Sequence, residues 1–90
     1  MKITQSRIFA NKVKKLSKTE KSILDKEIKL IVKNPQIGIE KKADLRGVYV
    51  YKFKINTLQY LLSYRFSIEE IEFIMLGSHE NYYRDLKKYV

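Results

Sequence analysis

Residues 48 to 66 alternate between two kinds of side chain so regularly that few structures can accommodate them. In VYVYKFKI, Tyr49, Tyr51, Phe53 and Ile55 fall on one side and Val48, Val50, Lys52 and Lys54 on the other. A period of two, rich in aromatic and β-branched residues, is a strand pattern. Asn56-Thr57 supplies a two-residue turn, since asparagine tolerates a positive φ. Ile55 then lies opposite Leu58, Lys54 opposite Gln59, Lys52 opposite Leu61, Val50 opposite Ser63 and Val48 opposite Arg65. Tyr60, Leu62, Tyr64 and Phe66 join the aromatic face. A slip of one residue would set Lys52 and Lys54 against large apolar side chains, so the register is strongly specified.

A longer turn at Ser67-Ile68-Glu69-Glu70 leads to a third strand over Ile71 to Leu76, with Ile71, Phe73 and Met75 continuing the aromatic face. Pairing Phe66 with Ile71 places Glu72 beside Arg65 and Leu76 beside Leu61. Gly77 ends the strand, Ser78 serves as a helix N-cap, and His79 to Tyr89 reads as a helix. Its start brings His79 to the end of the sheet that carries Lys52, Lys54 and Gln59.

The N-terminal half reads as cover for the aromatic face. Residues 2 to 5 form a short edge strand with Ile3 turned inward. Phe9, Val13 and Leu16 recur at helical spacing between Arg7 and Leu16. Ser17 and Glu20 have the spacing of a capping box, which starts a second helix whose stripe is Leu24, Ile28 and Ile31. Asn34-Pro35 ends that helix. Residues 36 to 46 form a connection anchored by Ile37 and Leu45. Tyr82 or Tyr83, with Leu86 and Tyr89, gives the last helix a packing stripe. The expected fold is α+β: an N-terminal helical hairpin packed on one face of a small, mainly antiparallel sheet, with a C-terminal helix, in one domain over residues 1–90. The Lys52/Lys54 face stays open to solvent or ligand.

Charge narrows the function. Nineteen Lys and Arg against ten Asp and Glu give a net charge of +9, which favours an anionic partner, a nucleic acid or an acidic protein segment before a membrane. The chain has no cysteine and one histidine, so a disulfide framework, a thiolate metal site and a His-rich zinc centre are excluded; no metal or other cofactor is expected. No apolar run is long enough to span a bilayer, and MKITQSRIF lacks the apolar core of a signal peptide, so a cytoplasmic protein is expected.

Lys52 and Lys54, two apart on one strand face, have Cα atoms roughly 6.5 to 7 Å apart. Side chains at that spacing can straddle a phosphodiester or stabilise a phosphorane-like transition state. His79 has the one side chain here whose ordinary pKa lies near neutrality, which suits proton transfer. Tyr82 and Tyr83 follow it by three and four residues, so one lies on its side of the helix, where an exposed ring can stack on a base; the other is expected in the core. Arg65, at the far end of the sheet, reads first as a cross-strand partner of Glu72 and second as a ligand contact.

A basic helical hairpin followed by LRGVYVYKFK, QYLLSYRF and LGSHENYYRDL resembles, over essentially the whole chain, the RelE/ParE superfamily of bacterial type II toxins. The G-x-H turn with an aromatic four residues after the histidine is most similar to the RelE/StbE and YafQ-like branch. The resemblance implies a toxin held inactive by a cognate antitoxin in a hetero-oligomer, acting on ribosomes and cutting mRNA in the A site without a metal. The ribose 2′-OH attacks the adjacent phosphate and the 5′-oxygen leaves. It assigns catalysis to Lys52, Lys54, His79 and Tyr83, with His79 as proton donor to the leaving oxygen; the candidate RNA contacts beside them are Gln59, Arg65, Tyr82 and Arg84. Gln59 stands where RelE-like chains often have an arginine, and a glutamine cannot neutralise a phosphorane. Two other readings stand beside this one: a ParE-like toxin that poisons DNA gyrase without cutting nucleic acid, and a non-catalytic RNA-binding module.

Overall fold

The computed structural model describes residues 2–41, 47–78 and 82–89. Strand β1 (Lys2–Gln5) leads into helices α1 (Arg7–Lys14) and α2 (Lys18–Lys33). A 3-10 turn (Pro35–Ile37) and strand β2 (Ile39–Lys41) precede the strands β3 (Val48–Ile55), β4 (Leu58–Phe66) and β5 (Glu70–Ser78), and helix α3 (Tyr82–Tyr89) follows. The five strands make one sheet in the order β1-β5-β4-β3-β2. β1 runs parallel to β5 and the remaining neighbours are antiparallel.

Local chemistry sets the helix ends. The Ser17 hydroxyl accepts from the Glu20 amide at 3.2 Å while the Glu20 carboxylate accepts from the Ser17 amide at 2.7 Å, a complete capping box. Two otherwise unpaired backbone donors are thereby satisfied. Ser6 caps α1 by accepting from the Phe9 amide, and its hydroxyl donates to the Ile74 carbonyl of β5. Pro35 stops α2, as expected. The two helices bring Phe9, Leu16, Leu24 and Ile31 onto Phe53, Ile55, Tyr60, Leu62, Tyr64, Ile71 and Phe73. The rings of Tyr49 and Tyr64, and of Phe53 and Tyr60, lie stacked across strands with centroids 5.8 and 6.0 Å apart, pairs worth about 0.5–1.5 kcal/mol each beyond their burial. The first hairpin has the expected register from Ile55↔Leu58 to Tyr49↔Tyr64, turning at Asn56 with φ of 57°.

Five expectations need correction. Tyr64 pairs with Phe73 but Ser63 with Met75, so Ile74 is an extra residue on β5 and the ladder shifts there. Such a bulge reverses the alternation beyond it. Leu76 therefore pairs with Leu62 and joins the helix-covered core, while Met75 turns to the other face. Second, Gly77 and Ser78 are still strand, paired with Leu61 and Tyr60, and the helix is described from Tyr82. Ser78 is thus the end of β5. Third, the connection after α2 contains β2, which pairs Ile39, Glu40 and Lys41 with Val50, Tyr49 and Val48. Ile37 is exposed and anchors nothing; the buried Tyr64 holds this segment, its hydroxyl donating to the Pro35 carbonyl and accepting from the Gly38 amide at 3.1 Å. Leu45 lies outside the described residues. Fourth, Ile3 is half exposed, because β1 is the edge of the sheet. Fifth, the second face is not wholly open: α3 lays Tyr82 and Leu86 on Val48, Val50, Leu61, Ile74 and Met75.

Candidate functional site

With α3 seated over the Val48 and Val50 end, the second face of the sheet keeps an uncovered corner. Lys52 and Lys54 project there, both exposed, from β3. Their ladder partners on β4 are Leu61 and Gln59, the latter partly buried. The register continues across β5, with Leu61 paired to Gly77 and Tyr60 to Ser78. Lys52, Leu61 and Gly77 thus form one row across three strands, and β5 ends next to the row of Lys54 and Gln59. The residue after Ser78 is His79, which lies outside the described residues. The three positions the register argument gathers, Lys52, Lys54 and Gln59, do lie together, with the exit of β5 beside them.

Tyr82 leaves the set of stacking candidates. Its ring is buried under α3, and its hydroxyl donates to the Met75 carbonyl at 2.8 Å and shares a 2.9 Å hydrogen bond with the Ser63 hydroxyl. Burial pushes its pKa up from the ordinary phenol value, with the hydrogen bond from Ser63 working the other way. A tyrosine so placed fixes the helix to the sheet and offers no face to a base. Gly77 makes room for it, since a Cβ there would stand 3.3 Å from the Tyr82 ring.

Tyr83 is half buried and meets the Tyr82 ring edge-on at 5.7 Å. The Lys41 ammonium lies 5.0 Å from the Tyr83 ring centroid, within cation–π range. Tyr83 thus meets Lys41 of β2, the strand that pairs with Val48 to Val50. Sequence reasoning passed over Lys41 because it sits on a three-residue strand with no alternation of its own. Arg65 is exposed and faces Glu72 across the ladder without closing an ion pair, at the opposite end of β4 from Gln59. Arg84, on the exposed side of α3, lies 3.7 Å from the Asp85 carboxylate. Neither arginine joins the Lys52 corner. Among the described residues, no group of His, Cys, Asp or Glu is arranged to hold a metal ion, and no helix is long and apolar enough to cross a membrane.

The corner brings two cations and an amide to the end of a strand, on a surface open to a polyanion. Fixed positive charge of this kind binds phosphate and stabilises charge that develops on it.

Among solved structures, the fold is similar to the intact E. coli RelBE toxin–antitoxin complex, with a TM-score of 0.69 and 22% identity over 88% of this chain and 96% of that one. It is similar to the isolated E. coli RelE toxin, with a TM-score of 0.66 and 21% identity over 99% and 98% of the two chains. A YoeB/ParE toxin from Agrobacterium tumefaciens gives a TM-score of 0.69 and 17% identity over 88% and 99%. At these identities the likeness is one of fold. No curated protein sequence matches. A family model, described as the ParE-like toxin of type II bacterial toxin-antitoxin systems, matches residues 3–87. That span runs from β1 into α3, and the chain belongs to this family of type II toxins.

Proposed function

We propose that this toxin is a ribosome-dependent endoribonuclease that cuts mRNA and so stops translation in the bacterial cytoplasm. One observation carries the reading: Lys52 and Lys54 stand exposed on the uncovered corner of the sheet, in ladder rows with Leu61 and Gln59 and beside the end of β5, one residue before His79. The chemistry is a transesterification. The ribose 2′-oxygen gives up its proton to water and bonds to the adjacent phosphorus, and the bond to the 5′-oxygen breaks. The upstream fragment ends in a 2′,3′-cyclic phosphate, and the leaving oxygen takes a proton, for which His79 is the candidate donor. Lys52 and Lys54 oppose the negative charge that grows on the phosphoryl oxygens. No step calls for a metal. A cognate antitoxin is the expected partner, in line with the toxin–antitoxin complex among the similar structures.

The family model's ParE-like description favours a second reading, a toxin that poisons DNA gyrase without cutting RNA. That activity makes no demand on Lys52 and Lys54. Inducing the wild-type chain, Lys52→Ala, Lys54→Ala and His79→Ala in bacteria lacking the antitoxin, and mapping 5′ ends on a translated reporter, separates the two. The ribonuclease reading expects new ends within the reading frame that vanish when the start codon is removed. It also expects losses of about a hundredfold for each lysine variant, the scale for removing one electrostatic stabiliser. Growth arrest without new ends would move the assignment to gyrase. RNA binding with neither arrest nor cleavage would leave a non-catalytic module.

A further inference from the structure

A groove of about 400 Å³ follows the C-terminal half of β5 on the side where β1 has ended. β1 pairs with Glu70 to Phe73 and no further. Beyond that point Asn11 and Lys12 of α1 and Lys15 at its C-cap form one wall, Gly77 and Ser78 form the floor, and α3 closes the far side with Asp85. Lys12 and Lys15 are three apart, neighbours on the surface near the end of α1. The helix, RIFANKVK, has no acidic residue, and neither lysine makes an ion pair with a described residue. Asp85 is the one carboxylate among the described lining residues, and Arg84 lies against it at 3.7 Å. Among its described lining residues the groove is therefore net positive.

Its position gives that charge a meaning. Gly77 in the floor shares a ladder row with Leu61 and Lys52. Two strand spacings, about 10 Å, separate the groove from the strand that carries Lys52 and Lys54. A single RNA strand laid across the end of the sheet spans both.

We propose that this groove is a second anion subsite, in which Lys12 and Lys15 neutralise backbone phosphates of the RNA strand whose scissile phosphate sits at Lys52 and Lys54. Asn11 offers amide donors to the same backbone. The inference rests on the ribonuclease reading. An extended acidic peptide is the rival occupant, and the strand edge argues against it. Next to the end of β1, the Phe73 carbonyl already accepts from the Ser6 amide and the Ile74 carbonyl from the Ser6 hydroxyl. That part of the edge is closed to strand addition, whereas recognition of a polyanion needs only the ammonium groups.

The test uses fluorescence anisotropy with a single-stranded 2′-O-methyl RNA, which lacks the attacking hydroxyl. Lys12→Gln/Lys15→Gln is compared with Lys26→Gln/Lys29→Gln, an equal charge change at exposed positions of α2, with thermal melting confirming that both fold. Each phosphate contact on a single strand contributes about −0.7 to the slope of log K against log salt. Between 50 and 200 mM salt the wild-type Kd should rise about sevenfold more than that of the groove variant, while the α2 variant keeps the wild-type slope. Equal slopes for the two double variants would overturn the subsite. So would a glutamate-rich peptide that binds the wild type but not the groove variant while the RNA slopes coincide, which would assign the groove to a protein partner. Absence of RNA binding by the wild type would also overturn the subsite, and the reporter assay, which supplies the ribosome, then decides the ribonuclease reading on its own.

Discussion

Tyr64→Phe isolates the one hydroxyl that fastens the segment between α2 and β2. The ring is fully buried, and its oxygen serves two backbone groups, donating to the Pro35 carbonyl and accepting from the Gly38 amide at 3.1 Å. Removing it leaves both without their partner. A net hydrogen bond is worth about 0.5–1.5 kcal/mol and an unsatisfied buried group costs about 1–3. The segment is only partly buried, so water can reach it, and we expect a loss of about 2 kcal/mol. For a domain of this size that lowers Tm by roughly 8–16 °C. The same contact explains Gly38. Its φ of −75° and ψ of 168° suit any residue, yet a Cβ there would stand 2.5 Å from the Tyr64 oxygen and 3.1 Å from Cζ. Gly38→Ala alone should cost about 1–3 kcal/mol by overpacking. In the Tyr64→Phe background the oxygen is gone and the nearest atom is a ring carbon, so the added cost should fall below about 1 kcal/mol. Urea unfolding of the four proteins gives the coupling energy, expected to exceed about 1 kcal/mol in the sense of relief. A cycle additive to within about 0.5 kcal/mol, or a Tyr64→Phe protein as stable as wild type, would refute the staple.

Ser6→Ala should destabilise by about 1–2 kcal/mol in the same unfolding assay, because one hydroxyl both caps α1 and satisfies the Ile74 carbonyl at the bulge. Leu86→Ala, at a fully buried position of α3, should cost about 2–3 kcal/mol and weaken the near-ultraviolet circular dichroism of Tyr82. The Tyr51 hydroxyl donates to the Glu27 carboxylate at 2.6 Å, and that bond, then burial, pushes its pKa up to about 12. The neutral phenol is the form the fold favours. Its contribution is complete below the unfolded value near 10 and is lost as pH rises through about 12. Spectrophotometric titration should therefore find Tyr51 ionising late, and Glu27→Gln should bring its midpoint back toward 10.

What the sequence made legible divides by how local the cause is. The capping box at Ser17 and Glu20 and the stop at Pro35 act within a turn and were readable residue by residue. The hairpin register was readable because two alternations had to agree, and with it came the neighbourhood of Lys52, Lys54 and Gln59. The bulge was hidden because Ile74, Met75 and Leu76 are all apolar, so any register keeps them buried. β2 was hidden because backbone pairing defines it and its side chains are mostly exposed. Of the expected stripe on α3, Tyr82 and Leu86 pack but Tyr89 is exposed at the end of the helix; the target of the stripe was not visible, since Val48 and Val50 share a strand face with two lysines. Lys41, Lys12 and Lys15 could not be singled out among nineteen cations; their settings arise where separate elements meet, which no local pattern records.

The parallel pairing of β1 with β5 also orders events in time. The Ser6 hydroxyl bonds to a carbonyl 68 positions later in the chain, whereas β3 and β4 are joined by a two-residue turn. Closing so long a loop costs entropy before any contact rewards it. During synthesis β1 and the start of α1 have nothing to dock on until residues 70 to 74 have left the ribosome, at about 5–20 residues per second. The hairpin can form early and the first strand must wait. The groove beside β5, which is built from α1, β5 and α3, is then among the last features to appear, so the nascent toxin passes most of its synthesis with that groove unbuilt.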